Sequence, residues 1–304
     1  MLLLQQMTIL FIYMLLGYIA CRLGKLDAHT GKQISWLVLN IANPAMILSS
    51  AVNGDGEIRG SQLLLTVLIA AVIYAALLLL AQVVPVIIGI PEKERCFYRL
   101  MTVFNNIGFM GFPVISAIYG SSALLYAAIF TLPYNLLFYT YGVRMVKGDT
   151  AEKEPLRLSN LLNTGILASI LATVLYLTQV PTPAFFKTTV QGLSNLTAPL
   201  SMMVIGMSLA NIHIKELFLD LRMLLFAAVK LVIIPLIGTA LIRCFVSNEI
   251  LCGVCMIILA TPAGSMTAML AQQYQGSGET VSRGVALTTI LSVITIPLVS
   301  ALLF

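Results

Sequence analysis

Polar residues divide the chain into ten apolar stretches: Leu2 to Cys21, Ile34 to Val52, Leu63 to Ile88, Phe97 to Tyr119, Ala123 to Tyr141, Leu161 to Leu177, Leu193 to Asn211, Met223 to Ile242, Leu251 to Tyr274 and Val285 to Phe304. Each has the length, roughly 17–25 residues, that carries an α-helix across the hydrocarbon core of a bilayer. The pattern predicts an all-α integral membrane protein of ten transmembrane helices. The longest polar stretch, Val143 to Asn160, leaves five spans on either side. It is too short to be a domain and reads as a connecting linker. Because five is odd, the second half enters the membrane from the opposite face. Residues 1–142 and 161–304 are therefore expected to be inverted five-helix repeats, joined by the linker 143–160.

Four of the apolar stretches carry polar, helix-breaking clusters, and one shift of 155 positions relates them. Asn40-Ile-Ala-Asn43-Pro44 in span two falls on Asn195-Leu-Thr-Ala198-Pro199 in span seven, and Asn105-Asn106-Ile107-Gly108 in span four falls on Ala260-Thr261-Pro262-Ala263 in span nine. Backbone groups without their helical hydrogen bonds are tolerated at membrane depth only where protein or a water-lined cavity surrounds them. The densest cluster is NNIGFMGFP, Asn105 to Pro113. Proline lacks the amide donor and clashes with the preceding turn, and glycine costs about 1 kcal/mol relative to alanine. Spans four and nine are expected to unwind near mid-membrane and cross there, with their second halves starting near Gly111 to Pro113 and near Pro262 to Gly264. Pro85, Pro133, Pro235 and Pro297, each alone, read as kinks or close-packing points.

Two helix N-termini meeting at mid-depth offer free amides and together about one unit of positive charge, which favours a carboxylate or other small anion. The expected substrate-binding set is Asn105, Asn106, Gly108, Gly111 and Pro113 with Thr261, Pro262, Ala263, Gly264 and Ser265. Asn105 and Asn106 can contact substrate or repair freed backbone, and the sequence leaves both open. Asn40, Asn43, Pro44, Asn195 and Pro199 are expected to support bends beside the crossing, and Tyr134 and Asn135 to form part of a cavity wall. Lys230 is the only charge well inside a span. Its long stem is expected to snorkel to the cytoplasmic interface; the alternative is a helper charge that draws anions inward.

Charge fixes the orientation. Most Lys and Arg, from Arg22 and Lys25 to Arg283, lie in loops after odd-numbered spans, whereas the other side has Arg59, Lys187 and Arg243. Basic residues near span ends stay in the cytoplasm, so both termini are expected to face outward. The net charge of +5 follows from this bias and implies no nucleic-acid partner. The composition, 59% apolar and 10% charged with mean hydropathy +0.99, excludes a soluble domain of this size. The first span has neither a basic n-region nor a small-residue cleavage site and is expected to be retained.

No Asp or Glu falls within a predicted span, so the usual carboxylate for proton relay or sodium binding is missing, although the hydroxyls of Thr261, Ser265 and Thr267 can still hold a sodium ion. Cys252 and Cys255 have no second ligand pair nearby, and His29 and His213 lie in loops; no metal or cofactor is expected. No nucleophile is spaced with a base, so the chain is not expected to be an enzyme.

At NNIGFMGFP in span four, NIANPAMIL in span two, KLVIIPL in span eight and ATPAGSMTAMLAQQYQ in span nine, the chain resembles the auxin efflux carrier family, which includes plant auxin carriers and bacterial malate- or malonate-permease-like carriers. The resemblance implies a crossover fold like that of bile-acid symporters and sodium–proton antiporters. In that fold helices 1, 2, 6 and 7 form a scaffold, and helices 3–5 and 8–10 form a transport unit that moves like an elevator. It implies a homodimer through the scaffold, in a bacterial inner membrane, with Asn105, Asn106, Pro113 and Pro262 at the crossover. Plant carriers have a long cytoplasmic domain where this chain has a short linker, which favours a bacterial-type carrier of malate- or malonate-like or auxin-like anions. A sodium-coupled symporter of the bile-acid type and a non-transporting receptor are the competing expectations.

Overall fold

The computed structural model describes residues 2–53, 60–147, 164–210, 217–275 and 279–304. The linker from 148 onward, the loop charges at 54–59, and Asn211, His213 and Lys215 lie outside the described residues. Among the described residues the chain is helical: α1 (Leu2–Arg22), α2 (Ala28–Val52), α3 (Gly60–Ile87), α4 (Glu92–Val103), α5 (Ile107–Tyr119), α6 (Leu124–Leu137, continuing to Lys147), α7 (Thr164–Thr178), α8 (Ala184–Ser194), α9 (Thr197–Ala210), α10 (Leu221–Phe245), α11 (Glu249–Ala260), α12 (Ser265–Gln275) and α13 (Glu279–Leu303). By length and composition five stretches can cross a membrane, namely α2, α3, α10, α13 and α8 with α9 together (Ala184–Ala210), and α5, α7 and α11 are shorter apolar helices. On α3, Leu64, Leu68, Val72, Leu79 and Ile87 are exposed, as residues facing lipid would be.

Several helices start before their apolar run. Asp27 accepts from the Thr30 amide at 2.8 Å, so α2 begins at Ala28 and not at Ile34. Asp220 accepts from the amides of Arg222 and Met223 and Asn248 from that of Leu251, starting α10 and α11. Capping side chains satisfy the orphan donors of a first turn, so such a turn can be polar.

One expectation about the interruptions is corrected, that for the position of the break in span four. Span two runs through a π-helical turn, Val38–Ala42, in which the Asn43 amide reaches back to the Val38 carbonyl. Span four does break, but at Phe104–Asn106, and Gly111 and Pro113 lie within or just after a second π turn, Ile107–Gly111. Of two further π turns, Phe138–Gly142 and Val229–Ile233, the second precedes Pro235. In three of these four turns a proline stands six positions after the first residue; Phe138–Gly142 has Arg144 there. Widening the helix by one residue relieves the clash that proline makes with the preceding turn. Span seven is interrupted between α8 and α9, at Asn195 and Leu196.

The chain divides into two compact units. One comprises Met1–Val67, Ile107–Leu132 and Leu162–Ile212. Its centre is the packing of α1 on α9, where a Cβ added at Gly206 would stand 1.8 Å from the Met14 carbonyl oxygen and one at Gly17 2.1 Å from that of Met203. Backbones approach this closely only across small residues. The other unit comprises Leu68–Asn106, Pro133–Leu161 and His213–Phe304; within it α13 packs against α4, α10, α11 and α12.

Candidate functional site

The ends of α4 and α11 meet inside the second unit. Helix α4 stops because Phe104 turns extended (φ −99°, ψ 101°), and α11 stops because Thr261 does the same (φ −63°, ψ 147°) ahead of Pro262. The two extended segments then pair antiparallel at Asn105 and Ala263. The Asn106 amide donates to the Pro262 carbonyl at 2.9 Å, and the Gly264 amide to the Phe104 carbonyl at 2.8 Å. Groups that left two helices thus satisfy each other, as burial at membrane depth requires. Gly264 is needed for the approach: a Cβ there would lie 3.2 and 3.3 Å from the carbonyl oxygens of Asn105 and Phe104.

Side chains close the remaining gaps on the α4 side. Asn105, 1% exposed, donates from Nδ2 to the Ile258 carbonyl of the last turn of α11 at 2.6 Å. Its Oδ1 accepts from Lys230 Nζ. Lys230 also donates to the Thr102 carbonyl in the last turn of α4 at 3.1 Å. This lysine is 0% exposed, so the expected snorkelling does not occur: the π turn that carries it directs the stem inward to the two acceptors. On the α11 side hydroxyls do the same work. Thr261 Oγ1 donates to the Ile258 carbonyl at 2.7 Å, the Ala263 amide donates to Thr288 Oγ1 at 3.2 Å, and Thr267 Oγ1 donates to the Gly264 carbonyl at 2.5 Å. Asn106 Nδ2 lies 3.5 Å from Ser265 Oγ, where α12 begins.

The structure therefore brings Asn105, Asn106, Thr261, Pro262, Ala263, Gly264, Ser265 and Lys230 together. Gly108, Gly111 and Pro113 belong to the other unit, with Asn40, Asn43, Pro44, Asn195 and Pro199. There Asn43 Nδ2 donates to the Gly108 carbonyl at 3.1 Å, while its buried Oδ1 has no partner among the described residues. Asn40 Nδ2 donates to the Trp36 carbonyl, and Asn195 Oδ1 accepts from Gln191 Nε2. Tyr134 stacks on Phe138 and meets Phe104 edge-on, with ring centroids 5.6 Å apart, which fixes the residue whose carbonyl anchors the bridge. Asn135 is buried.

Thr102, Phe104 and Thr288 are absent from the residues the sequence singles out. An ordinary threonine or phenylalanine in an apolar run carries no signal; only the long-range pairing shows its role. A cavity of about 570 Å³ in the second unit, lined by Gln82, Arg99, Thr140, Tyr141, Arg144 and Met145, is likewise not foreseen. Gln82 Nε2 donates to the Tyr141 hydroxyl at 2.9 Å, and Arg99 Nε is buried without an acceptor among the described residues.

Comparison with known proteins gives these arrangements a family. An uncharacterized transporter of Methanothermobacter thermautotrophicus is 24% identical over 293 residues, covering 96% of this chain and 95% of its own length. The uncharacterized transporter YfdV of Escherichia coli is 25% identical over 303 residues, covering 95% of this chain and 94% of its own. The profile of the family described as membrane transport protein matches residues 2–159 and 153–300. With both halves matched, the chain belongs to the membrane transport protein family, that of the auxin efflux carriers.

Proposed function

We propose that the protein is a secondary transporter or facilitator of a small organic anion, of the malate, malonate or auxin-like monocarboxylate type. The observation that carries this reading is the bridged pair of helix breaks, with a buried ammonium beside it, in a chain whose spans hold no carboxylate. The start of α12 beside the bridge favours an anion there. Arg99 and Arg144, lining an open cavity in the same unit, add a basic approach.

In this reading Asn106, Thr261 and Ser265 supply polar contacts to substrate, with Pro262, Ala263 and Gly264 giving the backbone course and Asn105 and Lys230 holding the break open. Gly108, Gly111 and Pro113 shape the second half of span four. The ten spans form inverted repeats with both termini outside the cytoplasm. The carrier sits in the inner membrane as a homodimer and alternates access by an elevator-like movement.

The test is uptake of radiolabelled malonate, malate and indole-3-acetate into liposomes containing the pure protein, with and without sodium, a pH gradient and an imposed potential. Uptake that follows the potential and needs neither gradient supports an uncoupled anion carrier. Uptake that requires sodium replaces it with the symporter reading. No uptake of any of the three acids removes the proposed substrate class. Asn106→Ala should lower uptake about tenfold, the effect of about 1.4 kcal/mol in substrate or transition-state contact, with the amount of inserted protein unchanged.

A further inference from the structure

Carriers built from inverted repeats commonly use unwound backbone carbonyls and the C-terminal ends of half-helices to coordinate a coupling ion. Here those groups surround a side chain. The last turn of α4 presents the Thr102 carbonyl to Lys230 Nζ at 3.1 Å. The last turn of α11 presents the Ile258 carbonyl, which Asn105 reaches through Nδ2 while its Oδ1 accepts from the same ammonium. One helix end thus meets the cation directly and the other through the Asn105 amide.

The charges balance. Each helix C-terminus carries about half a unit of negative charge, so the two ends together match one ammonium. The described carboxylates of this unit, Glu92, Glu94, Asp220, Glu249 and Glu279, stand at or before helix starts, and no ion pair to Lys230 is formed among the described residues. A cation of this kind is held by carbonyl oxygens, as a dehydrated alkali ion would be. The shift of 155 positions places Lys230 on Ala75, so the device occurs once and not in both repeats.

We propose that Lys230 is a tethered cation standing where a dissociable coupling ion would otherwise bind, so that the carrier turns over without sodium. This rests on the transporter reading above. It assigns the ammonium a task distinct from substrate contact: to neutralise two half-helix ends throughout the cycle, a task that an ion from solution performs only while bound. A carrier with such a cation is independent of the sodium gradient by construction. Removing the stem leaves a site of carbonyl oxygens that a small free cation can fill.

The experiment needs no substrate. Thermal unfolding of the purified full-length parent and of Lys230→Ala is measured in detergent with equal concentrations, about 100 mM, of sodium, potassium, propylammonium or choline chloride. Propylammonium matches the atoms that alanine lacks. The parent should unfold at the same temperature in all four. Lys230→Ala should unfold lower in choline and recover by about 2–4 °C in sodium or propylammonium, the shift expected for a ligand at several times its Kd. A variant indifferent to every cation overturns the proposal, as does a parent stabilised by sodium over choline.

Should Lys230→Ala not accumulate, Lys230→Met keeps the volume of the stem and is read with sodium, while the parent series stands without any variant. In liposomes, parent uptake that requires sodium also overturns the proposal. Absence of uptake of the three acids removes the proposed substrate class and leaves the thermal result standing.

Discussion

The two helix breaks in the second unit solve one problem with different means. At the end of α4 the released groups are held by long-range side chains: the Thr102 carbonyl by Lys230, and Asn105 between Lys230 and Ile258. At the end of α11 they are held by short, local hydroxyls and by backbone, with Thr261 returning to Ile258 and Thr288 receiving the Ala263 amide from the neighbouring helix. The first arrangement depends on a buried charge and the second does not. A charge that must be held fully out of water raises the cost of losing any partner, so the α4 break should tolerate substitution worse than the α11 break.

That difference can be measured. Asn105→Ala removes an acceptor from a buried ammonium and a donor from Ile258, and should lower stability by about 2–3 kcal/mol. Thr261→Val, which leaves the bridge intact, should lose about 1 kcal/mol. Equal losses in thermal unfolding would remove the distinction between the breaks. Gly264→Ala presses a methyl group onto two backbone carbonyls that cannot rotate away, and should cost about 1–3 kcal/mol. Gly108→Ala, whose added carbon meets the end of the Asn43 side chain at 3.3 Å, should cost less. Reversal of that order would mean that the bridge is looser than its hydrogen bonds imply. Thr288→Val orphans the Ala263 amide and should cost about 1 kcal/mol, a loss to be compared with Thr261→Val on the same break.

The smallest effect lies outside both breaks and calibrates them. The hydroxyl and amide of Thr30 hold the Asp27 carboxyl below its ordinary value. A depressed folded-state value means that the contribution is present above the unfolded pKa, about 3.9, and is lost as pH falls through the folded value. The parent should therefore lose a small increment of unfolding temperature between pH 5 and pH 3 that Asp27→Asn, which still caps α2, does not lose. An identical pH response in both proteins would show that this cap carries no electrostatic share.

The apolar runs were sufficient to show an all-helical membrane protein because length and hydropathy decide what can lie in a bilayer. They were insufficient for the first turn of α2, whose polar residues are admitted by the Asp27 cap just ahead of the helix. The shift of 155 positions located the breaks in spans four and nine, yet glycine and proline pointed to Gly111–Pro113 when the chain unwinds at Phe104–Asn106. The reason is local: a π turn absorbs Pro113, whereas nothing inside α4 can satisfy Asn105 and Asn106 as the bridge to Ala263 does. The direction of Lys230 was unreadable for a related reason. It is set by a π turn and by Thr102, 128 positions earlier, and neither is visible in a window of neighbours.

Those π turns also act as angular settings. One residue of an α-helix is about 100° of rotation, so a helix that carries an extra residue in one turn presents its two halves at bearings an ordinary helix would not give. Pro44, Pro113 and Pro235 hold the extra residue in place, because a relaxed α turn would drive each ring into a carbonyl. At Pro235 the turn being held contains Lys230, the one charged side chain among the described residues that is fully buried. The proline thus serves as the detent of a dial whose pointer is the ammonium, and a chain with alanine there would be free to rewind and aim the charge elsewhere.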